Sequence, residues 1–162
     1  MRIDSAKPCL GLLAAVLVTG GVLLCSSPAA ADVDVGLRGG YYTDADAPFI
    51  GADVLIQIQD TRWFFNPNFE YVFVDHGDLE TINLDAHYDL DTKDKDFYVW
   101  LGGGPAIIFR DPGGPHDDNE TDVGFDLLAG VGWQLDSVVP YLQAKAILSD
   151  QSEFVIAVGV RF

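Results

Sequence analysis

The sequence predicts an all-β chain: eight antiparallel strands closed up-and-down into a barrel. Three observations predict it. Apolar and polar residues alternate with a period of two through eight segments. Short, turn-rich breaks separate those segments, which favours hairpins in sequence order. The last segment, Glu153 to Phe162, sets Phe154, Ile156, Val158, Val160 and Phe162 on one face and Val155, Ala157, Gly159 and Arg161 on the other. A soluble sheet rarely ends on so apolar a strand, because an uncovered edge invites aggregation. A closed barrel has no edge.

The first 31 residues read as a secretory signal peptide. Arg2 and Lys7 precede a near-continuous apolar run from Cys9 to Cys25, and Ser26-Ser27-Pro28-Ala29-Ala30-Ala31 supplies the small residues a signal peptidase needs. Cleavage is expected between Ala31 and Asp32, leaving residues 32–162 as one barrel domain. A retained membrane helix would need a longer apolar core and no cleavage site. A lipoprotein anchored at Cys25 would want a small residue before it, and Leu24 stands there. Both cysteines lie in this segment, so the mature chain has no disulfide and no thiolate metal site. Losing Arg2, Lys7 and Asp4 leaves 24 acidic against 7 basic residues, a net charge of −17. Such a chain should not bind nucleic acid or anionic lipid by charge attraction. No later stretch approaches the ~20 apolar residues of a spanning helix. If the mature chain lies in a membrane, it crosses as strands.

The segments follow in order. Val33 to Thr43 sets Val35, Leu37 and Tyr41 against Asp34, Arg38 and Tyr42. Pro48 to Gln59 sets Ile50, Val54 and Ile56 against Asp53, Leu55 and Gln57. Arg62 to Val74 sets Trp63, Phe65, Phe69 and Tyr71 against Phe64, Asn66, Asn68 and Glu70. Leu79 to Leu90 has the clearest alternation, with Ile82, Leu84, Ala86 and Tyr88 opposite Asn83, Asp85, His87 and Asp89. Phe97 to Arg110 sets Val99, Leu101, Ile107 and Phe109 against Tyr98, Trp100, Gly102 and Gly104. Val123 to Leu135 sets Phe125, Leu127, Val131 and Trp133 against Gly124, Asp126, Gly130 and Gly132. Pro140 to Leu148 sets Leu142, Ala144 and Ala146 against Tyr141, Gln143 and Lys145, and the strand ending at Phe162 is the eighth. Pro67 and Pro105 fall inside strands and cannot donate to a ladder, so bulges or strand breaks are expected there.

Alternation does not say which face is outside. The polar faces carry both signs, which suits an interior where ions pair. The expected interior polar network is Arg38, Asp53, Glu70, Asp85, His87, Asp126, Lys145 and Arg161. Aromatics of the apolar faces gather in two belts: Trp63, Tyr88, Phe97, Trp133 and Phe162 at one end, and Tyr41, Phe73, Phe109, Phe125 and Phe154 at the other. Paired girdles mark a membrane barrel. A ten-residue strand tilted by about 40° also spans roughly the 25 Å apolar band. A lipocalin-like soluble barrel, the alternative, would turn these aromatics inward.

The mature chain resembles the small eight-stranded outer-membrane barrels of the OmpA and OmpX type. The resemblance rests on the signal peptide, the eight segments, Leu101-Gly102-Gly103-Gly104, Gly130-Val131-Gly132-Trp133 and the final Val160-Arg161-Phe162. It implies export to the bacterial outer membrane, contact with outer-membrane lipid and lipopolysaccharide, and a monomer. It also implies that Phe162 is part of an insertion signal read by the barrel assembly machinery. Members serve as anchors, adhesins, surface-protection proteins or small-molecule passages. Short outer loops weaken an adhesin reading here.

No enzyme and no cofactor are expected. His87 sits with Asp85 and Asp89 on one inward face, without a Ser nucleophile or further ligands in evident reach. A hydrogen-bonded interior His is the simpler reading. His116-Asp117-Asp118-Asn119-Glu120 is ligand-rich but lacks the regular alternation of a calcium loop, so a solvated acidic loop is expected. The inward Tyr42, Phe64, Tyr98, Trp100 and Tyr141 are large enough to plug so narrow a barrel, with the inward glycines leaving room opposite. Excess inward acid is expected at the rims. A structural or surface-interaction role therefore leads. Narrow passage, a lipid-modifying activity and soluble ligand binding stand as alternatives.

Overall fold

The computed structural model describes residues 33–112 and 120–162. The signal segment 1–31 and residues 116–119 of the acidic loop lie outside the described residues. Eight strands follow one another: β1 (Val33–Tyr42), β2 (Ala47–Gln57), β3 (Trp63–Val72), β4 (Asp78–Asp89), β5 (Phe97–Asp111), β6 (Glu120–Trp133), β7 (Val139–Leu148) and β8 (Glu153–Arg161). Each pairs antiparallel with the next, and β8 pairs back onto β1, so the barrel is closed. The seam runs from Tyr42↔Val155 to Gly36↔Arg161. Beyond it, Val35 and Phe162 exchange backbone hydrogen bonds of 3.3 and 3.0 Å. Neither strand of the seam is left as an edge.

The strands match the alternating segments, with shifts at their ends. β6 starts at Glu120 rather than Val123. The Arg110–Asp122 ion pair, 3.1 Å, and the Arg110↔Glu120 register carry its ladder past the apolar stretch. Turn chemistry sets the hairpins. Asp46, Gln59, Asp136 and Gly77 adopt positive φ. At Gly77 a Cβ would fall 1.8 Å from the Asp111 carbonyl oxygen, so only glycine fits.

The two prolines do not bulge or break their strands. The register between β2 and β3 is the same on both sides of Pro67, and that between β4 and β5 the same on both sides of Pro105. Only the two residue pairs nearest each proline drop out of the ladder. The reason is visible at Pro67. Ile58 and Trp63 form a hydrogen-bonded pair, as do Pro48 and Phe73. Alternate pairs between them do the same, and that series includes Val54 opposite Pro67. Pro67 has no N–H to give. The Asn66 side-chain amide donates to the Val54 carbonyl instead, at 2.9 Å.

The apolar faces point outward. Leu37, Ile50, Leu101, Leu127 and Val158 are each more than half exposed. Trp63 packs on Tyr88 with ring centroids 5.2 Å apart, and Phe97 on Trp133 at 5.4 Å, within one belt. The lipocalin-like alternative needs the opposite arrangement. Large contiguous apolar surface of this kind does not suit water.

Candidate functional site

The inward faces form three layers. At the end holding the β1–β2, β3–β4 and β7–β8 turns (the far end) the lumen is apolar. Tyr42, Phe49, Val72, Leu79, Ile108, Ile147 and Val155 pack there as one buried cluster. At the end holding Val33 and Phe162 (the near end), Trp100, Leu128 and Tyr141 form a second cluster with Tyr98 against it. Between the two lies a polar midsection. Sequence alternation did not reveal the far-end cap, because it contrasts the two faces of a strand and says little about changes along one face.

The expected network residues are all buried, and each strand except β5 contributes at least one of them. Glu70 is the hub. Arg38 Nη2 lies 3.0 Å from its Oε1, and Lys145 Nζ 2.9 Å from its Oε2. The Tyr42 hydroxyl donates to the same Oε2. Lys145 also approaches Asp126 at 3.8 Å. A second group is built on Asp53, which accepts from Arg161 Nε at 2.8 Å, Asn66 Nδ2 at 3.0 Å and the Tyr141 hydroxyl at 3.1 Å. Asp85 accepts from Asn68 Nδ2 at 2.9 Å. Turned so that its nitrogen faces Asp126, the Asn83 amide donates to Asp126 Oδ2 and accepts from Lys145 Nζ, both at 3.2 Å. Ions this deeply buried persist only where attraction and hydrogen bonds replace water.

Two placements differ from expectation. Among the described residues no hydrogen-bond partner reaches the His87 Nδ1, and its Nε2 is 3.7 Å from Asp89. The ring is held by stacking, 5.4 Å from Phe64 and 5.5 Å from Trp100 between centroids. The excess acid is not confined to the rims either. Glu70, Asp85 and Asp126 are wholly buried at mid-height, where Arg38, Lys145 and the neighbouring amides surround them. The amides themselves, Asn66, Asn68, Asn83 and Gln143, were not among the expected site residues. Their signal was present, since all four occupy inward positions of alternating strands.

The inward aromatic groups are also accounted for by their surroundings. Trp100 Nε1 donates to Gln143 Oε1 at 3.3 Å. The Arg161 guanidinium sits over the Tyr141 ring at 4.4 Å and the Trp100 ring at 5.5 Å. Gly130 faces Trp100 so closely that a Cβ would lie 2.3 Å from the indole, and at Gly159 one would lie 2.4 Å from the Tyr141 ring. On the near side of this layer a cavity of about 280 Å³ remains, lined by Phe64, His87, Asp89, Tyr98, Trp100 and Arg161 among others.

No family model matches the chain, and no curated protein matches it. Solved structures do. The N-terminal β-barrel domain of Pseudomonas aeruginosa OprF aligns with a TM-score of 0.66 and 16% identity, over 80% of this chain and 95% of that one. The fold is that of the small eight-stranded outer-membrane barrels. Neisserial surface protein A aligns at 0.59 and 18% identity, covering 80% of this chain and 92% of its own. The attachment invasion locus protein Ail of Yersinia pestis aligns at 0.51 and 13%, covering 80% and 96%. At such identities the likeness concerns the fold.

Proposed function

We propose that the mature chain is an integral barrel of the bacterial outer membrane with a structural or surface-interaction role, and that it neither catalyses a reaction nor conducts solutes. One observation supports the reading: the apolar residues face outward, while an apolar cluster, an ion network and an aromatic layer line the lumen. A lumen closed by these layers would leave the surface as the working part. A neisserial surface protein and an attachment protein among the structural neighbours agree with a surface role. The far-end turns carry Asp44, Asp46, Asp75 and Asp150, and divalent cations would bridge such acids to lipopolysaccharide phosphates. Phe162 would serve the barrel assembly machinery, and the barrel would act as a monomer.

Cell fractionation with heat-modifiable gel mobility tests the location. Recovery in the soluble periplasmic fraction would overturn it. Planar-bilayer recording of the refolded protein tests the plug. The expected trace is flat, and a steady, reproducible unit conductance would promote the passage alternative. Lipopolysaccharide contact predicts a rise in thermal stability on adding millimolar calcium or magnesium to lipopolysaccharide-containing bilayers. No rise would argue against the bridge.

A further inference from the structure

The midsection charges do not balance as fully ionised groups. Arg38, Lys145 and Arg161 share it with Asp53, Glu70, Asp85 and Asp126, and none of the seven is more than 4% exposed. Arg161 pairs with Asp53. Glu70 lies between Arg38 and Lys145. Asp126 has Lys145 at 3.8 Å, and Asp85 accepts from the neutral Asn68 amide. Among the described residues, three cations thus face four carboxyl groups.

The fourth carboxyl is placed where it can share. Asp85 and Asp126 flank the same stretch of β5. Two ionised carboxylates offer only acceptors, so they can bond to each other only through a proton. The oxygens left without another donor are Oδ1 of Asp85 and Oδ1 of Asp126. The backbone explains the meeting. Asp85 is on β4 and Asp126 on β6, with β5 between them. Gly104 of β5 is in register with Asp126. Extending the β4–β5 register places the same glycine opposite Asp85. A Cβ on Gly104 would lie 2.8 Å from the Asp85 Cα. With no side chain there, the two carboxyls reach across β5.

We propose that Asp85 and Asp126 form a proton-binding site, with one proton held between their carboxyl groups at neutral pH. The network then carries three positive and three negative charges. The groups facing the pair are consistent with one proton rather than two or none. Glu70 and Asn68 approach from β3, Asn83 from β4 and Lys145 from β7, with Arg38 acting across the lumen from β1. From β5 the bare Gly104 is presented, and the next inward group of β4, His87, is taken up in the aromatic stack. Two ionised carboxylates here would add an uncompensated buried charge, and two neutral ones would leave Lys145 in surplus. The proposal rests on the interior geometry and holds wherever the barrel resides, so fractionation and the test below fail independently.

The test is the infrared spectrum of the refolded protein in detergent micelles at pH 7. Wild type should show the carbonyl stretch of a protonated carboxylic acid, moved by exchange into heavy water. Asp126→Asn and Asp85→Asn should each lose that band, because the amide supplies the hydrogen bond and the remaining carboxyl is ionised. Asp91→Asn, at an exposed turn acid, should keep it. If neither variant refolds, alkaline titration of wild type decides, with loss of the band at unchanged strand content as the expected result. No acid band in wild type at pH 7 would overturn the proposal. So would a band that survives in both variants. Destabilisation by a chelator with no acid band would assign the pair to a metal ion instead.

Discussion

Replacing Lys145 with Met tests the ion network most directly. Met keeps an unbranched apolar stem of similar reach and removes only the ammonium group. The site is 1% exposed, so water cannot take its place. Glu70 would retain Arg38 at 3.0 Å, and Asp126 would lose Lys145, the one cation within 4 Å of it among the described residues. Breaking a buried pair from one side costs about 3–5 kcal/mol, because the other charge stays behind. The Tyr42 and Thr81 hydroxyls still reach Glu70. Those donors place the expected loss nearer the lower end, about 3 kcal/mol. The assay is equilibrium unfolding by denaturant in lipid vesicles, followed by tryptophan emission and gel mobility. Adding Glu70→Gln to the Lys145→Met chain should recover part of the loss, since it restores the charge count. An unchanged midpoint for the single variant would show that Lys145 is no part of a stabilising network. A double variant no better than the single would show that charge is not the cause.

Four further outcomes follow from particular contacts. Asn66→Leu should lower stability by about 1–3 kcal/mol, since Asp53 and the Val54 carbonyl each lose a donor. The loss should shrink when Pro67→Ala returns a backbone N–H, and an equal loss in both backgrounds would refute the amide's substitution for that N–H. Gly130→Val should destabilise by about 1–3 kcal/mol through overpacking against the indole, and Trp100→Phe should relieve it in a double variant's unfolding midpoint. In vesicles of brominated lipid, emission of Trp63 and Trp133 should be quenched and that of Trp100 spared, read from single-tryptophan variants. Quenching of Trp100 would turn the barrel inside out. Phe162→Asp should block assembly and lower surface levels, and normal levels in an outer-membrane preparation would count against its role as an insertion signal.

How much of this was legible in the sequence depends on whether a feature lies along a strand or across the lumen. The alternation of Ile82, Leu84 and Ala86 with Asn83, Asp85 and His87 fixes the faces of β4, because the side-chain period is two. Short connections fix its neighbours. The pairing of Asn68 with Asn83 was within reach of the same reasoning, since the β3–β4 hairpin sets their register. Glu70 meeting Lys145, 75 positions away, was not. That contact depends on strand tilt and stagger around the closed barrel, which no local pattern encodes. The inward turn of Phe49, Ile108 and Ile147 was obscured for a related reason. Their strand neighbours, such as Ile50, Ile107 and Leu148, are apolar too, so alternation loses its contrast there.

The layer order bears on why charges are tolerated inside at all. An outward apolar face adds little to the packing of the barrel itself, so the folded state depends on the closed ladder and on what fills the lumen. Large side chains fill it only because glycines stand opposite them, as Gly130 does for Trp100 and Gly159 for Tyr141. The ion groups lie where both ends shield them, the far end by the apolar cap and the near end by the Phe64–His87–Trp100 stack. Shielding strengthens attraction between charges and raises the cost of any charge left alone. A network in that position is therefore stable only when its count closes. Arg38, Lys145 and Arg161 against Asp53, Glu70 and a singly protonated Asp85–Asp126 pair close it without any further ion.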